Sequence, residues 1–546
     1  MKKIIFIAAV LFLGSCSVAP KKEKTTNSKL VVGIVVDQMR YDYLTRFESK
    51  YGTDGFKRLM NDGFNCHEHH YSYMPTFTGP GHASIFSGTT PKTHGIIAND
   101  WYDKTIKKSI YCVEDSLVKG VGGKNEDRSP RNMLVTGLGD QIKLQTSNKG
   151  KSIGISIKDR AAILPAGKLA DAAYWFKGGK DGNFVSSTYY MTDLPNWVND
   201  FNAKELPKSY LSQNWETILP IDQYTESSID NNPNENSLKK GHDPVFPYNL
   251  SELFPDYGYD LIKKIPFGNN LLVDFAKEVI LNENLGKDDV MDFLSVSFSS
   301  TDYVGHNYGP KSVEIEDTYI RLDKSIAELL AFLDKEVGKN QYTVFLTADH
   351  GVAQIPQDLM DQGVEVGYYS ESDILESVDN KLVAIYNQEN LIESFSNFQF
   401  FINHDLVNSL NLDAELIEKQ ILAASLEIKS VKSGLTRRDL LSENYSYGVN
   451  QKVQKGWNTL ASGDVALIME PGWLPDGYAK NGGSSHGSPW AYDTHVPLLF
   501  FGVGINNGST LVKTEVEDIV PTISAAIGVQ APMGSTGLTI NDVVAK

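Results

Sequence analysis

Four apolar runs, each ending in charged side chains, constrain this chain more than any other feature. They are LVVGIVVDQ at 30–38, KSIGISIKDR at 151–160, MDFLSVSFSSTD at 291–302 and TVFLTADHG at 343–351. Runs that are apolar along their whole length and rich in β-branched residues suit the interior of a parallel sheet, although periodicity alone leaves a short buried helix open. Ligand sites of open α/β sheets lie beyond the carboxyl ends of such strands. Asp37, Lys158 with Arg160, Asp302, and Asp349 with His350 therefore stand where a ligand would bind.

The intervening segments supply the helices. YDYLTRFESKYGTDGFKRLMNDG, from 41, reads as helix with a break at Gly52 to Gly55, and VEIEDTYIRLDKSIAELLAFLDKEV, from 313, has a sustained helical period. Strands alternating with helices predict an α/β fold with a mostly parallel sheet flanked by helices. Two segments, about 165–288 and 356–481, break the alternation and are expected to be insertions at the functional edge, because structureless loops of that length are uncommon in a compact domain. A late strand at Val496 to Phe501 and a closing helix near VEDIVPTISAAIG return to the core. No internal repeat or low-complexity tract is present.

The N-terminus, MKKIIFIAAVLFLGSC, has two lysines, an apolar segment and small residues, the pattern of an export signal over about 1–20. Leu13-Gly14-Ser15-Cys16 resembles a lipobox, which would anchor the chain through a lipid on Cys16; ordinary cleavage nearby is the competing reading. The domain that follows, 30–546, is expected in the periplasm or at the cell surface. Cys66 and Cys112 then form a candidate disulfide in an oxidising compartment. A formal charge of −17 argues against nucleic-acid or polybasic membrane binding. An anionic substrate would need a local reversal of that sign.

Asp37, Asp302, His306, Asp349, His350 and His486 offer oxygen and nitrogen donors without thiolates, which suits zinc in a hydrolytic site. Any one of them alone reads as a cap or a packed loop histidine; jointly they are a constellation. Thr78 in PTFTGPGHAS precedes a helix-compatible stretch, so its hydroxyl is either a simple N-cap or a group placed where a helix N-terminus favours an anion.

The ordered set Asp37, Thr78, Asn99, Lys158-x-Arg160, Asp302-x-x-x-His306, Asp349-His350 and His486 resembles the alkaline phosphatase superfamily. It is most similar to secreted bacterial phosphate-irrepressible alkaline phosphatases with a threonine nucleophile. The resemblance runs from about Leu30 to the C-terminus through VVDQMR, NDWYDK, KDRAAILPAG, STDYVGHNYGP, TADHG and YDTHVPLLF. It implies two zinc ions: one on Asp302, His306 and His486, the other on Asp37, Asp349, His350 and Thr78. It also implies that Thr78 attacks phosphorus to give a phosphothreonine, with Asn99, Lys158 and Arg160 binding the phosphoryl oxygens of a broad range of small phosphate monoesters. A monomer is expected. The alternatives are a phosphodiesterase or nucleotide pyrophosphatase of the same superfamily and, from another class, a catalytically silent surface lipoprotein. A sulfatase is disfavoured because no Cys/Ser-x-Pro-x-Arg segment is present, and a phosphoglycerate mutase relative because of the export signal.

Overall fold

A computed structural model describes residues 28–239 and 241–545. The expected export signal and Cys16 lie outside the described residues. Ten strands form the main sheet: β1 (Leu30–Val36), β2 (Phe64–Cys66), β3 (Gly120–Val121), β4 (Ser152–Ser156), β5 (Ala172–Lys177), β6 (Asn183–Ser187), β7 (Asp292–Phe298), β8 (Tyr342–Thr347), β9 (Leu498–Gly502) and β10 (Gly508–Thr510). Their order is β10-β2-β9-β8-β1-β7-β4-β5-β6-β3.

The central five strands, β8-β1-β7-β4-β5, run parallel. Every residue of β1, β7 and β8 is buried, which is why their sequences are apolar runs rather than alternations. Each large aliphatic side chain so buried contributes roughly 1.5–3 kcal/mol, more than the approximately 1–2 kcal/mol that ordering its backbone costs. Helices α1 (Thr78–Ser87), α2 (Asp159–Ala166), α3 (Phe267–Asn282), α4 (Ser300–Tyr308) and α5 (Val313–Leu333) cover the sheet, with α1 packed on α2 and α3 on α5. Among the described residues, no helix is long and apolar enough to cross a membrane.

The segment expected as a first insertion contributes to the sheet instead. AAYWFK and NFVSS within it are β5 and β6, and α3 lies in the helical layer, so only about 188–266 stands outside the alternation. Its polar and aromatic composition masked two buried strands. The later segment carries a separate antiparallel sheet in the spatial order Ile392–Ser396, Gln399–Ile402, Val465–Met469 and Val431–Thr436. Phe400, Leu467, Val378 and Ile421 belong to a second hydrophobic core, which also takes in Met74 and packs Phe77 against itself. The second sheet thus buttresses the turn that leads into α1.

Cys66 and Cys112 are free, contrary to the pairing expected from the sequence. Cys66 ends β2 opposite Thr510 in the main core, whereas Cys112 packs in a separate cluster with Ile97, Trp101 and Ile163. Burial pushes both thiols up, Cys66 to about 12. Neither cysteine should react with iodoacetamide in the native protein, and both should be alkylated after denaturation without reductant. Peptide mass spectrometry that found a linked pair would overturn this.

One close approach sets the position of α1. A Cβ at Gly81 would lie 2.5 Å from the Asp349 carbonyl oxygen and 2.7 Å from its Cβ, so only glycine lets the helix meet the segment after β8. Gly81→Ala should destabilise the fold by about 1–3 kcal/mol in urea denaturation, as overpacking does. Gly477→Ala, in a short helix with nothing within 4 Å, should change stability by less than about 0.5 kcal/mol. Equal effects at the two positions would remove the steric explanation.

Candidate active site

The carboxyl ends of four adjacent strands, β8-β1-β7-β4, deliver most of the site. Asp37 follows β1, Lys158 follows β4, and Asp349 with His350 follows β8. After β7 the chain turns directly into α4, so Asp302 and His306 lie one helical turn apart on the same face, with His306 Nε2 3.2 Å from Asp302 Oδ1. His486 arrives from the far end of the sequence, its Nε2 3.7 Å from the same oxygen. Its ring stacks on that of His350 at 3.5 Å.

The three imidazoles share one device. His306 Nδ1 donates to the Ser484 carbonyl at 2.8 Å, His486 Nδ1 to that of Thr76 at 2.7 Å, and His350 Nδ1 to that of Gly351 at 3.0 Å. A ring that donates from Nδ1 to a carbonyl keeps its Nε2 lone pair for a metal. Burial lowers His350 to about 3 and His486 well below its ordinary value, so both are neutral. At His306 burial also disfavours the charge, but the Asp302 carboxylate outweighs it and lifts the group to about 10, so this ring, unlike the other two, holds a proton on Nε2 that a metal ion would have to displace.

Two groups of three could each hold a divalent ion: Asp302, His306 and His486, and Asp37, Asp302 and His350, with the donor atoms of each group within 4.8 Å of one another. Asp302 is common to both. Asp349 stands beside them, its Oδ2 3.6 Å from His350 Nε2. Asp37 Oδ1, Asp349 Oδ2 and His350 Nε2 are buried without a hydrogen-bond partner, an arrangement that a metal satisfies and an apolar core does not. Burial and the neighbouring Asp37 push Asp349 well above the usual carboxylate range, the mark of crowded negative charge.

Thr78 is the first residue of α1, and the N-cap position belongs to Phe77, so Thr78 is not a cap. Its hydroxyl lies at the positive end of a ten-residue helix, 3.4 Å from Arg160 Nη2. Asn99 accepts the Gly79 N–H at 2.7 Å through its side-chain oxygen, which leaves its amide N–H groups for another partner. Lys158 lies deeper: its ammonium is 2.7 Å from Asp37 and 2.6 Å from Asp302. A polar cavity of about 360 Å³ opens beside Lys158 and Arg160, and Arg128, Lys177 and Lys263 also line it. Glu126, Asp159 and Asp260 line it too and pair with Lys177, Arg128 and Lys263, which leaves Arg160 as the cation beside Thr78.

The structure therefore brings together all ten residues singled out in the sequence, and adds others. Gln38, in the left-handed region at φ 67°, donates its backbone N–H to Asp349 at 3.1 Å and its side-chain amide to Asp302 at 2.8 Å. His82 donates to the Thr78 carbonyl at 2.9 Å and lies 3.4 Å from Asp349. Tyr111 holds Arg160 at 3.1 Å, because the hairpin of Asp100–Asp103 with Lys108–Tyr111 folds it back beside Asn99. Neither Gln38 nor His82 was singled out in the sequence, although adjacency to Asp37 and the four-residue spacing from Thr78 were signals available there. Nothing local pointed to Tyr111.

Residues 31–495 match the family model described as type I phosphodiesterase / nucleotide pyrophosphatase. The chain is 40% identical to alkaline phosphatase PafA of Elizabethkingia meningoseptica over 99% of both chains. It is 39% identical to alkaline phosphatase PhoV of Synechococcus elongatus over the full length of both, and 41% identical, over 96% of each, to a Myroides odoratus protein named a calcium-transporting ATPase. The crystal structure of PafA superposes with a TM-score of 0.91, covering 95% of this chain and 99% of that one. The chain belongs to the type I phosphodiesterase/nucleotide pyrophosphatase family of the alkaline phosphatase superfamily.

Proposed function

We propose that this protein is an exported two-zinc alkaline phosphatase that hydrolyses small phosphate monoesters through a phosphothreonine. The observation that carries the reading is the convergence of three imidazole Nε2 atoms and three buried carboxylates beside the Thr78 hydroxyl and the Arg160 guanidinium. Similarity to PafA and PhoV, both named alkaline phosphatases, supports the activity. Three nitrogen donors favour zinc over calcium, whose ligands are oxygens. Asp302, His306 and His486 would hold one ion, and Asp37, Asp349, His350 and Thr78 the other. When bound, such ions supply Lewis acidity and offset charge on the attacking and leaving oxygens.

The chain's own groups do the remainder. Thr78 Oγ1 attacks phosphorus as the bond from phosphorus to the ester oxygen breaks; the threonine proton passes to solvent, and the departing alkoxide takes one from solvent and leaves as the alcohol. Arg160 and the amide of Asn99 contact the non-bridging oxygens, and α1 turns its N-terminus toward the developing negative charge. Water then displaces phosphate from Thr78. The export signal read in the sequence supports a location in the periplasm or at the cell surface, with Cys16 as the candidate lipid anchor, and we take the enzyme to be a monomer.

Thr78→Ala should lower kcat for p-nitrophenyl phosphate by about three orders of magnitude or more while zinc content stays constant, and Thr78→Ser should remain within about tenfold. Near wild-type turnover in Thr78→Ala, with zinc bound, would rule out the covalent route.

A second reading, diester hydrolysis, is favoured by the family description, and Arg160 separates the two. A monoester dianion offers three non-bridging oxygens, whereas a diester carries an organic group on one of them, so a guanidinium fork beside the nucleophile gains more from the monoester. Arg160→Ala should reduce kcat/KM for p-nitrophenyl phosphate roughly 30- to 1000-fold. The loss on bis-p-nitrophenyl phosphate should be much smaller. Equal losses would put diester hydrolysis first. Lys158 is the less decisive probe, because its contacts to Asp37 and Asp302 tie it to the metal ligands.

A further inference from the structure

The second sheet meets the catalytic centre at a hairpin turn. Ser396 pairs with Gln399, so the hairpin of Ile392–Ser396 with Gln399–Ile402 closes on two residues, Asn397 and Phe398, both in the left-handed region at φ 52° and 64°. Such a turn ordinarily carries Asn-Gly, because glycine takes the second position without steric cost. Asparagine suits the first position here, but an aromatic residue at the second is a backbone outlier. Backbone preference therefore does not account for Phe398, and a residue held against that preference directs attention to what its side chain does.

The ring of Phe398 is buried and stacks on that of Phe77 at 6.3 Å and 19°, and Phe77 meets the His486 ring edge-on at 5.8 Å and 74°. Phe77 immediately precedes Thr78. Gly487, which follows His486, closes the third side: a Cβ there would lie 2.6 Å from Cε1 of Phe77 and 3.5 Å from Cε2 of Phe398. The same turn reaches the neighbour of Asn99, since the Asn397 amide donates to the Asp100 carbonyl at 2.7 Å. The Leu467 N–H donates to the Phe398 carbonyl at 2.8 Å, which ties the turn to the next strand of the second sheet.

We propose that Phe398 is a positioning residue: acting through Phe77 and Gly487, its ring aligns Thr78 for attack and His486 for metal binding. The inference rests on the reading of the site as a two-zinc phosphatase. A flat ring packed against Phe77 limits the tilt of that side chain, and with it the start of α1 and the orientation of the His486 imidazole. Misplacing a reacting group by about an ångström costs up to roughly a hundredfold in rate, so alignment repays a turn that glycine would close more easily.

The test compares zinc-loaded enzymes. Phe398→Gly relieves the backbone and removes the ring, so kcat for p-nitrophenyl phosphate should fall about 10- to 100-fold with KM within about threefold, and zinc should pass to EDTA at least about fivefold faster than from wild type. Phe398→Tyr, which keeps the ring, should bring both readouts back to within about threefold of wild type. Ile421→Ala, which opens a hole in the same second core, should leave kcat within about twofold and so separates alignment from general loosening. If Phe398→Gly folds poorly, Phe398→Leu, which keeps apolar bulk without the flat face, carries the comparison, with kcat down about three- to tenfold and zinc loss again faster. Wild-type kcat in the folded variant, or zinc loss at the wild-type rate, would overturn the proposal. Thr78→Ala in the same series keeps the two readings apart: if it is inactive while the Phe398 variants match wild type, the phosphatase reading stands and the positioning role falls.

Discussion

Three carboxylates held together out of water govern this structure. Asp37, Asp302 and Asp349 stand at the ends of β1, β7 and β8, three neighbouring strands whose every residue is buried. Such a cluster survives only if cations and N–H donors answer it. Lys158 bridges two of the three, the Gln38 backbone and side-chain amides take oxygens of Asp349 and Asp302, and His306 pairs with Asp302 from one helical turn away. The oxygens that none of these reaches are those that face the imidazoles. The parallel sheet supplies the rigidity that keeps like charges at this spacing, and the chemistry follows from what they then require.

Much of this was legible in the sequence because strand ends are local features. An apolar run that stops at Asp or at Asp-His announces both a buried strand and the polar group it displays. The helical relation of Asp302 and His306 was implicit in a four-residue spacing, although α4 itself was not foreseen. What escaped was non-local. Tyr111 reaches Arg160 only through a hairpin, Cys66 and Cys112 sit in separate cores that no count of cysteines distinguishes, and β5 and β6 were concealed in a stretch rich in aromatic and polar residues.

The second sheet, from Ile392 to Met469, illustrates how an added unit serves a site without supplying its reacting groups. Its core takes in Met74 and packs on Phe77, the residue immediately before the proposed nucleophile Thr78, while Gly487 presses against Phe77 and Phe398. The threonine is thus clamped from both directions, by the Gly81 approach on the helical side and by an apolar wedge on the other. Precision at Thr78 comes from packing on its neighbours, since the hydroxyl itself must stay free of strong partners.

His486 lies almost the whole length of the chain after Asp37, yet the two belong to one centre. At approximately 5–20 residues per second, a ribosome needs on the order of half a minute between making the first ligand and the last. Throughout that interval the nascent polypeptide carries an incomplete metal centre, and β9, which seals one side of β8, has not yet been made. Competence therefore comes late in biosynthesis, since a partly made chain lacks His486 and cannot assemble the candidate metal centre.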